Sequence, residues 1–258
     1  MRLGRVAILP ALVSVILSAQ SQSMTDAPPD SAQRAAMLSR IMQYASDYLR
    51  KLPDFVCTQV ARNSVDESGT GERWREREVV EEEVSYVAHR DSYKVLRING
   101  KATTRPHEKL KFRTEGDFGG TLPTIFDPQR QAEFEWARWE APGDRRRCVF
   151  SFRVPQSRSV TTVGRITVAI HGFVHADCET GTILGIREDM DPSSNLPWKS
   201  ASYSADYGPV TISGQRFILP LKSEWRLVGW KRGYLRTIQY GQYRKFGADA
   251  TVVFDAPK

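Results

Sequence analysis

"DYGPVTISGQRFILP", residues 206–220, decides the fold, because its β-branched and aromatic residues run into Ser213-Gly214 and out again. Two short strands folded about a Ser-Gly dipeptide make a hairpin, since glycine takes the positive φ that a tight turn between right-twisted strands requires. The neighbouring sequence reads the same way. HGFVHAD (171–177) turns through CETG, with Gly181 at the bend, and returns as TILGIRED (182–189). SYKVLRI (92–98) reverses at Asn99-Gly100 toward KATTRPHEKLKF (101–112). In RRRCVFSFRVP (145–155), Cys148, Phe150, Phe152 and Val154 share one face of a strand, and Val149, Ser151 and Arg153 share the other.

DFVCTQVARNSV (54–65), ERWREREVVEEEVSYVAHR (72–90), FEWARWE (134–140), RITVAIHGFVHAD (165–177), SYSADYGPVTI (202–212), QRFILPL (215–221), EWRLVG (224–229), GYLRTIQYGQYRKF (233–246) and ATVVFD (250–255) complete the strand set. Residues 72–90 also satisfy helical spacing, so alternation and helix compete there. EGDFGGTLPTIFDP (115–128) reads as a loop with one short helical turn near Ile125. About ten strands joined mostly by short turns make an antiparallel meander, since parallel strands need long crossovers.

One helix precedes them. Met37, Ile41, Tyr44, Ala45, Tyr48, Leu49 and Leu52 recur at helical spacing, Asp30 or Ser31 caps the start, and Pro53 stops the run. The expected architecture is α+β, mainly β: a large curved antiparallel sheet, an open half-barrel, covered by an N-terminal amphipathic helix.

Residues 1–21 have the pattern of a cleavable signal peptide: Arg2 and Arg5, an apolar core from Val6 to Ala19, and small residues at Ala19-Gln20-Ser21. The core is shorter than the ~18 to 20 residues a membrane-spanning helix needs, so no transmembrane anchor is expected after cleavage. Residues 22–30 form a polar leader, and 31–258 form a single β-rich domain with its N-terminal helix. The expected location is periplasmic or secreted. Loss of Arg2 and Arg5 from the 37 basic residues leaves 35 against 30 acidic ones, a charge of +5. Its densest basic run, Arg145 to Arg147, lacks interleaved aromatics, so no nucleic-acid partner is expected.

Cys57, Cys148 and Cys178 allow three disulfide pairings and leave one thiol over. His171 and His175 would stand ~13 Å apart on a strand, too far to share an ion. Asp66, Ser68, Thr70 and Gly71 begin like a calcium loop, but position twelve is Arg77 where a bidentate glutamate is needed. Glu81 to Glu83 read as a solvated face, and tryptophans such as Trp136, Trp139, Trp225 and Trp230 read mostly as core. Motifs for serine hydrolases, zinc proteases, phosphate-binding loops and dinucleotide binding do not occur. No catalytic residue, cofactor or metal is therefore expected.

The helix followed by DFVCTQ (54–59), the meander, HGFVHADCETGTILGIRED (171–189), DYGPVTISGQRFILP and YRKFGADATVVF (243–254) resembles a group of uncharacterised exported proteins of Gram-negative soil bacteria. Their layout is similar to the lipoprotein-carrier superfamily of the LolA, LppX and RseB type. The resemblance implies an incomplete barrel whose concave face holds lipid or lipoprotein acyl chains under helical flaps. It transfers no site residues. Burial of acyl surface at roughly 25 cal/mol per Å² would drive such binding. From the residues themselves, Phe150 and Phe152 are the expected cavity wall, and Ile41, Tyr44 and Tyr48 its lid. The alternative is an envelope protein interaction or sensor domain without a cavity.

Overall fold

The computed structural model describes residues 27–113, 116–140, 146–192 and 197–247. The expected signal peptide, most of the leader and the ATVVFD strand lie outside the described residues. Helix α1 spans Ser31–Lys51. Asp30 caps it in a reciprocal box: its carboxylate accepts the Gln33 N–H at 2.8 Å, and its own N–H donates to Gln33 Oε1 at 3.0 Å. Leu52, held extended before Pro53, ends it.

The strands are β1 (Phe55–Asp66), β2 (Arg75–Val87), β3 (Arg90–Ile98), β4 (Lys101–Ala102), β5 (Glu133–Glu140), β6 (Arg147–Val154), β7 (Thr162–Val163), β8 (Ile166–Thr167), β9 (Ile170–Asp177), β10 (Ile183–Met190), β11 (Trp198–Ile212), β12 (Gln215–Gly229) and β13 (Gly233–Lys245), with a short helix α2 (Thr121–Phe126) between β4 and β5. Eleven form one open antiparallel sheet in the order β4-β3-β2-β1-β13-β12-β11-β10-β9-β6-β5. Residues 72–90 resolve as strand from Arg75 onward. The opening hairpin joins β11 to β12, with Ile212 opposite Gln215 and Ser213 and Gly214 at φ 49° and 80°.

Three details differ from the expected meander. Only Lys101–Ala102 of residues 101–112 is strand, because Pro106 starts a 3-10 turn at His107–Lys109. QRFILPL and EWRLVG form one continuous strand, and RITVAIHGFVHAD breaks, its Ile166–Thr167 pairing with Thr162–Val163 in a separate two-stranded arm. The chain also does not simply meander. β4 and β5 occupy opposite edges, so residues 103–113 and 116–132 lie between one edge and the other as a strap, while β13 returns to pair with β1.

Two apolar clusters form against the sheet. One joins Ile41, Ala45 and Tyr48 of α1 and Leu122, Ile125 and Phe126 of α2 to β6, β9, β10 and β11. The second gathers Phe55, Cys57, Ala61, Val80, Val84, Tyr86, Ile238 and Tyr240 around Leu110 and Phe118 of the strap. Gly181, at φ 71°, lets the β9–β10 turn touch α1, since a Cβ there would fall 2.4 Å from the Arg40 carbonyl carbon. Arg40 then donates to the Cys178 carbonyl oxygen at 3.0 Å.

Buried polar bonds fasten the strap. The Asp117 carboxylate accepts from Tyr203 at 3.2 Å, from Ser223 at 2.7 Å and from the Tyr240 hydroxyl. His107 Nδ1 lies 2.7 Å from buried Glu82, and Arg236 donates to the Phe112 carbonyl oxygen at 2.9 Å. Removing Asp117 takes the charged acceptor from three buried hydroxyls, each loss worth about 1–3 kcal/mol, although Ser223 and Tyr240 still lie 3.5 Å apart and Tyr203 still accepts from Thr121. Asp117→Ala is expected to lower unfolding stability by at least about 3 kcal/mol, with Asp117→Asn costing less. Urea denaturation midpoints measure the difference, and an unchanged midpoint contradicts the fastening.

Candidate functional site

Strand alternation places one row of side chains across the inner face. Successive register partners are Phe134, Phe152, Gly172, Glu188, Tyr203, Trp225, Arg236, Asn63 and Glu78. Above its middle lies a groove bounded by the strap and the β7–β8 arm. Its wide end, about 540 Å³, has Phe112, Val163, Trp225, Leu227 and Tyr234 as apolar walls and Lys111, Arg113 and Arg236 as cations. Its narrow end, about 230 Å³, is lined by Asp117, Glu188, Met190, Tyr203 and Trp225, with the hydroxyls of Thr121, Thr124 and Thr162. Thr162 and Trp225 line both ends, so the two adjoin at these side chains.

Charge is separated along this groove. Arg236, 5% exposed, donates through Nη1 to Asn63 at 2.9 Å and to Phe112, while its Nη2 lies 3.6 Å from Glu82 Oε2. Burial lowers its pKa, opposed by Glu82. Glu82 also accepts from Gln59 at 2.5 Å. At the other end Glu188 is 5% exposed, and no hydrogen bond or ion pair reaches its carboxylate among the described residues. Burial, and then the charge of Asp189, pushes its pKa up to about 7. No Lys, Arg or His is among the described residues lining the narrow end. Chemically, it offers two carboxylates and an indole to a polar group, while the wide end offers apolar walls.

The five residues expected from sequence lie elsewhere. Ile41, Tyr48, Phe150 and Phe152 are buried together in the α1 cluster, with Tyr44 packed against it. Tyr44 and Tyr48 also line a small cavity of about 190 Å³ with Leu52, Phe217 and Ile218. Burial raises the pKa of Tyr44 to about 12 and that of Tyr48 well above its ordinary value. None of the five lines the groove among the described residues.

Other sequence features find ordinary structural partners. The Asp66 carboxylate accepts from the Ser68 hydroxyl and backbone, from Thr70 and from the Gly71 N–H, which hold it well below the usual range. His171 Nδ1 lies 2.7 Å from Asp191, and His175 Nδ1 lies 2.9 Å from Glu140. Glu81 and Glu83 face outward to Arg97 and Arg244, whereas Glu82 turns inward because alternation reverses every second side chain. Trp230 is 66% exposed rather than core, since it follows the end of β12.

Asp117, Glu188 and Arg236 were not singled out from sequence, and Glu82 was read as part of a solvated face. Parity carried the signal for three of them: Glu82 shares a face with Val80 and Val84, Glu188 with Ile186 and Met190, and Arg236 with Ile238 and Tyr240. Asp117 lies in the strap, where no period operates.

No protein-family model matches the chain, and no curated protein matches it. Among solved structures, it is similar to a LolA superfamily protein from Nitrosomonas europaea, at 10% identity and TM-score 0.46 over 84% of this chain and 97% of that one. It is also similar to an outer membrane lipoprotein-sorting protein domain from Vibrio parahaemolyticus, at 8% identity and TM-score 0.44 over 85% and 95% of the two chains. A third similar chain is a DUF1329 family protein from Desulfovibrio piger, at 10% and TM-score 0.40 over 88% and 95%. The site therefore rests on its own geometry.

Two predictions follow from these groups. Because Glu188 has a folded pKa above its unfolded one, its stabilising effect is full below about pH 4.5 and is lost as pH rises through about 7. Glu188→Gln is expected to match the parent near pH 4 and exceed its stability by about 3 kcal/mol at pH 8, measured by denaturation at both values. Cys148 on β6 and Cys178 in the β9–β10 turn are neighbours whose thiols influence one another, whereas Cys57 belongs to the other cluster. The Cys148 thiol donates to the Ala176 carbonyl oxygen at 3.6 Å and the Cys178 thiol to the Arg146 carbonyl oxygen at 3.7 Å, and the nearby Cys148 thiol lowers the Cys178 pKa. Oxidised glutathione is expected to link Cys148 to Cys178 and leave Cys57 free, whereas peptide mass mapping that finds a Cys57 bridge contradicts that proximity.

Proposed function

We propose that this chain is an exported periplasmic binding or carrier-like protein for an apolar ligand such as a lipid or lipoprotein acyl chain, with no catalysis in the role. The observation that carries the reading is the groove left between strap and arm, walled by Phe112, Val163, Trp225, Leu227 and Tyr234. A volume of about 540 Å³ lies in the usual range for small-molecule sites, and apolar walls with few polar groups are their usual composition. Export through residues 1–21 supplies the compartment, and the domain from residue 31 onward is the carrier. No helix among the described residues is long and apolar enough to cross a membrane.

A second reading, an envelope partner module, draws on a different surface. Between α1 and α2 lies a hollow of about 660 Å³ lined by Ala35, Leu38, Met42, Pro123 and Phe126, with Met42 38% exposed.

Purification of the full chain from a Gram-negative periplasm tests both readings. Native mass spectrometry is expected to show a mature protein beginning at Gln22 with a bound mass that organic solvent removes. Leu227→Arg places a long cation in the wide end and is expected to abolish that mass while leaving the fold intact by circular dichroism. Ligand-free protein that also fails to take up a dodecyl-chain probe overturns the carrier reading and leaves the partner module.

A further inference from the structure

We propose that the narrow end of the groove holds the cationic head group of an amine-headed amphiphile, with Glu188 as its counter-ion and the apolar tail running toward Leu227 and Tyr234. The inference rests on the carrier reading and names the chemistry of its ligand. Glu188 sits between Gly172 and Tyr203 in the register row, 5% exposed, without a hydrogen bond or ion pair among the described residues. A buried carboxylate in that state is costly, and an ammonium beside it offsets the cost.

Four further features favour a cation over an anion or a neutral polar group. Asp117 lines the same end, its carboxylate held by Tyr203, Ser223 and Tyr240. The Trp225 indole stands at the junction of the two ends, where its ring can face a cation. The hydroxyls of Thr121, Thr124 and Thr162 surround the space and can accept from an ammonium. The charge of Arg236 is offset by Glu82, but Lys111 and Arg113 stand only at the wide end, so the field along the groove orients a ligand with its positive end toward Glu188.

The groups around Glu188 predict how binding responds to pH. On its own strand, exposed Asp189 raises its pKa; from β11, Tyr203 is its register partner and Tyr207 senses its charge; from the strap, Asp117 shares the cleft; and β9 contributes only Gly172 opposite it. Burial sets the pKa near 7, so the carboxylate is anionic at pH 8 and mainly neutral at pH 5.5. An alkylammonium stays protonated at both values.

Calorimetric titration of the exported chain with dodecylammonium, dodecanol and dodecanoate, each below its micellar concentration, tests the proposal. At pH 8 dodecylammonium is expected to bind at least about tenfold more tightly than dodecanol, with dodecanoate weakest. The preference is expected to collapse at pH 5.5 and in Glu188→Gln, and to persist in Asp189→Asn, which removes a nearby charge outside the groove. Equal binding of the three, or a preference that survives Glu188→Gln, overturns the head-group assignment and leaves the carrier reading standing. Failure of all three to bind overturns both.

Discussion

The buried carboxylate of Asp117 is the point on which this architecture turns. An open eleven-stranded sheet exposes an inner face too broad for one helix, and α1 covers only the β6 to β11 side. The rest is covered by an irregular strap whose backbone cannot satisfy itself with a ladder. It must therefore be tied by specific polar bonds in a dry setting, where each bond is strong and each omission is costly. Asp117 receives hydroxyls from three adjacent strands, β11, β12 and β13, so one side chain fixes the strap across the middle of the sheet. Glu82 with His107, and Arg236 with the Phe112 carbonyl, repeat the device toward β2.

The same fastening creates the groove. Strap and arm both rest on the sheet, yet the strap is tied at Phe112 and Asp117 while the arm is a separate ladder of two short strands. Two covers anchored independently leave a gap along their seam, and its floor is whatever the register presents. Here the register presents Glu188, Tyr203, Trp225 and Arg236 in sequence, which turns a structural gap into a lined site with a carboxylate unpaired among the described residues at one end and, with Lys111 and Arg113 of the strap, cations at the other.

Much of the architecture could be read from local signals, because those signals act locally. The Ser213-Gly214 and Asn99-Gly100 turns carry the left-handed backbone that their dipeptides announce, and Asp30 caps α1 as its side chain allows. Strand order was less accessible. Nothing local says that β13 pairs with β1, or that the strap spans the sheet, since both follow from how the whole inner face is buried. The lining residues were hidden for a related reason. Composition assigns Glu82 and Arg236 to solvent, and only parity with Val80 and Ile238 places them inside, a cue easily overlooked where charges are dense. The apolar residues at Ile41, Tyr44, Tyr48, Phe150 and Phe152 were easy to find by their spacing, and packing a core uses the same residue types as lining a cavity; Tyr44 and Tyr48 do both.

Two inward acidic residues behave differently enough to separate structure from function. Glu82 is enclosed by Gln59, His107 and Arg236, so its burial costs little beyond what its partners return. Glu188 is 5% exposed against 0% for Glu82, lines the groove and has no comparable partner among the described residues, while its neighbours Ile186 and Met190 would accept an apolar residue in its position. A fold gains nothing from such a group at neutral pH, because its ionisation opposes folding. A ligand that binds only the folded chain returns that stability by mass action, and a cationic one returns it at the site of the deficit. The cost of Glu188 thus falls on the empty protein, where it biases the groove toward occupancy.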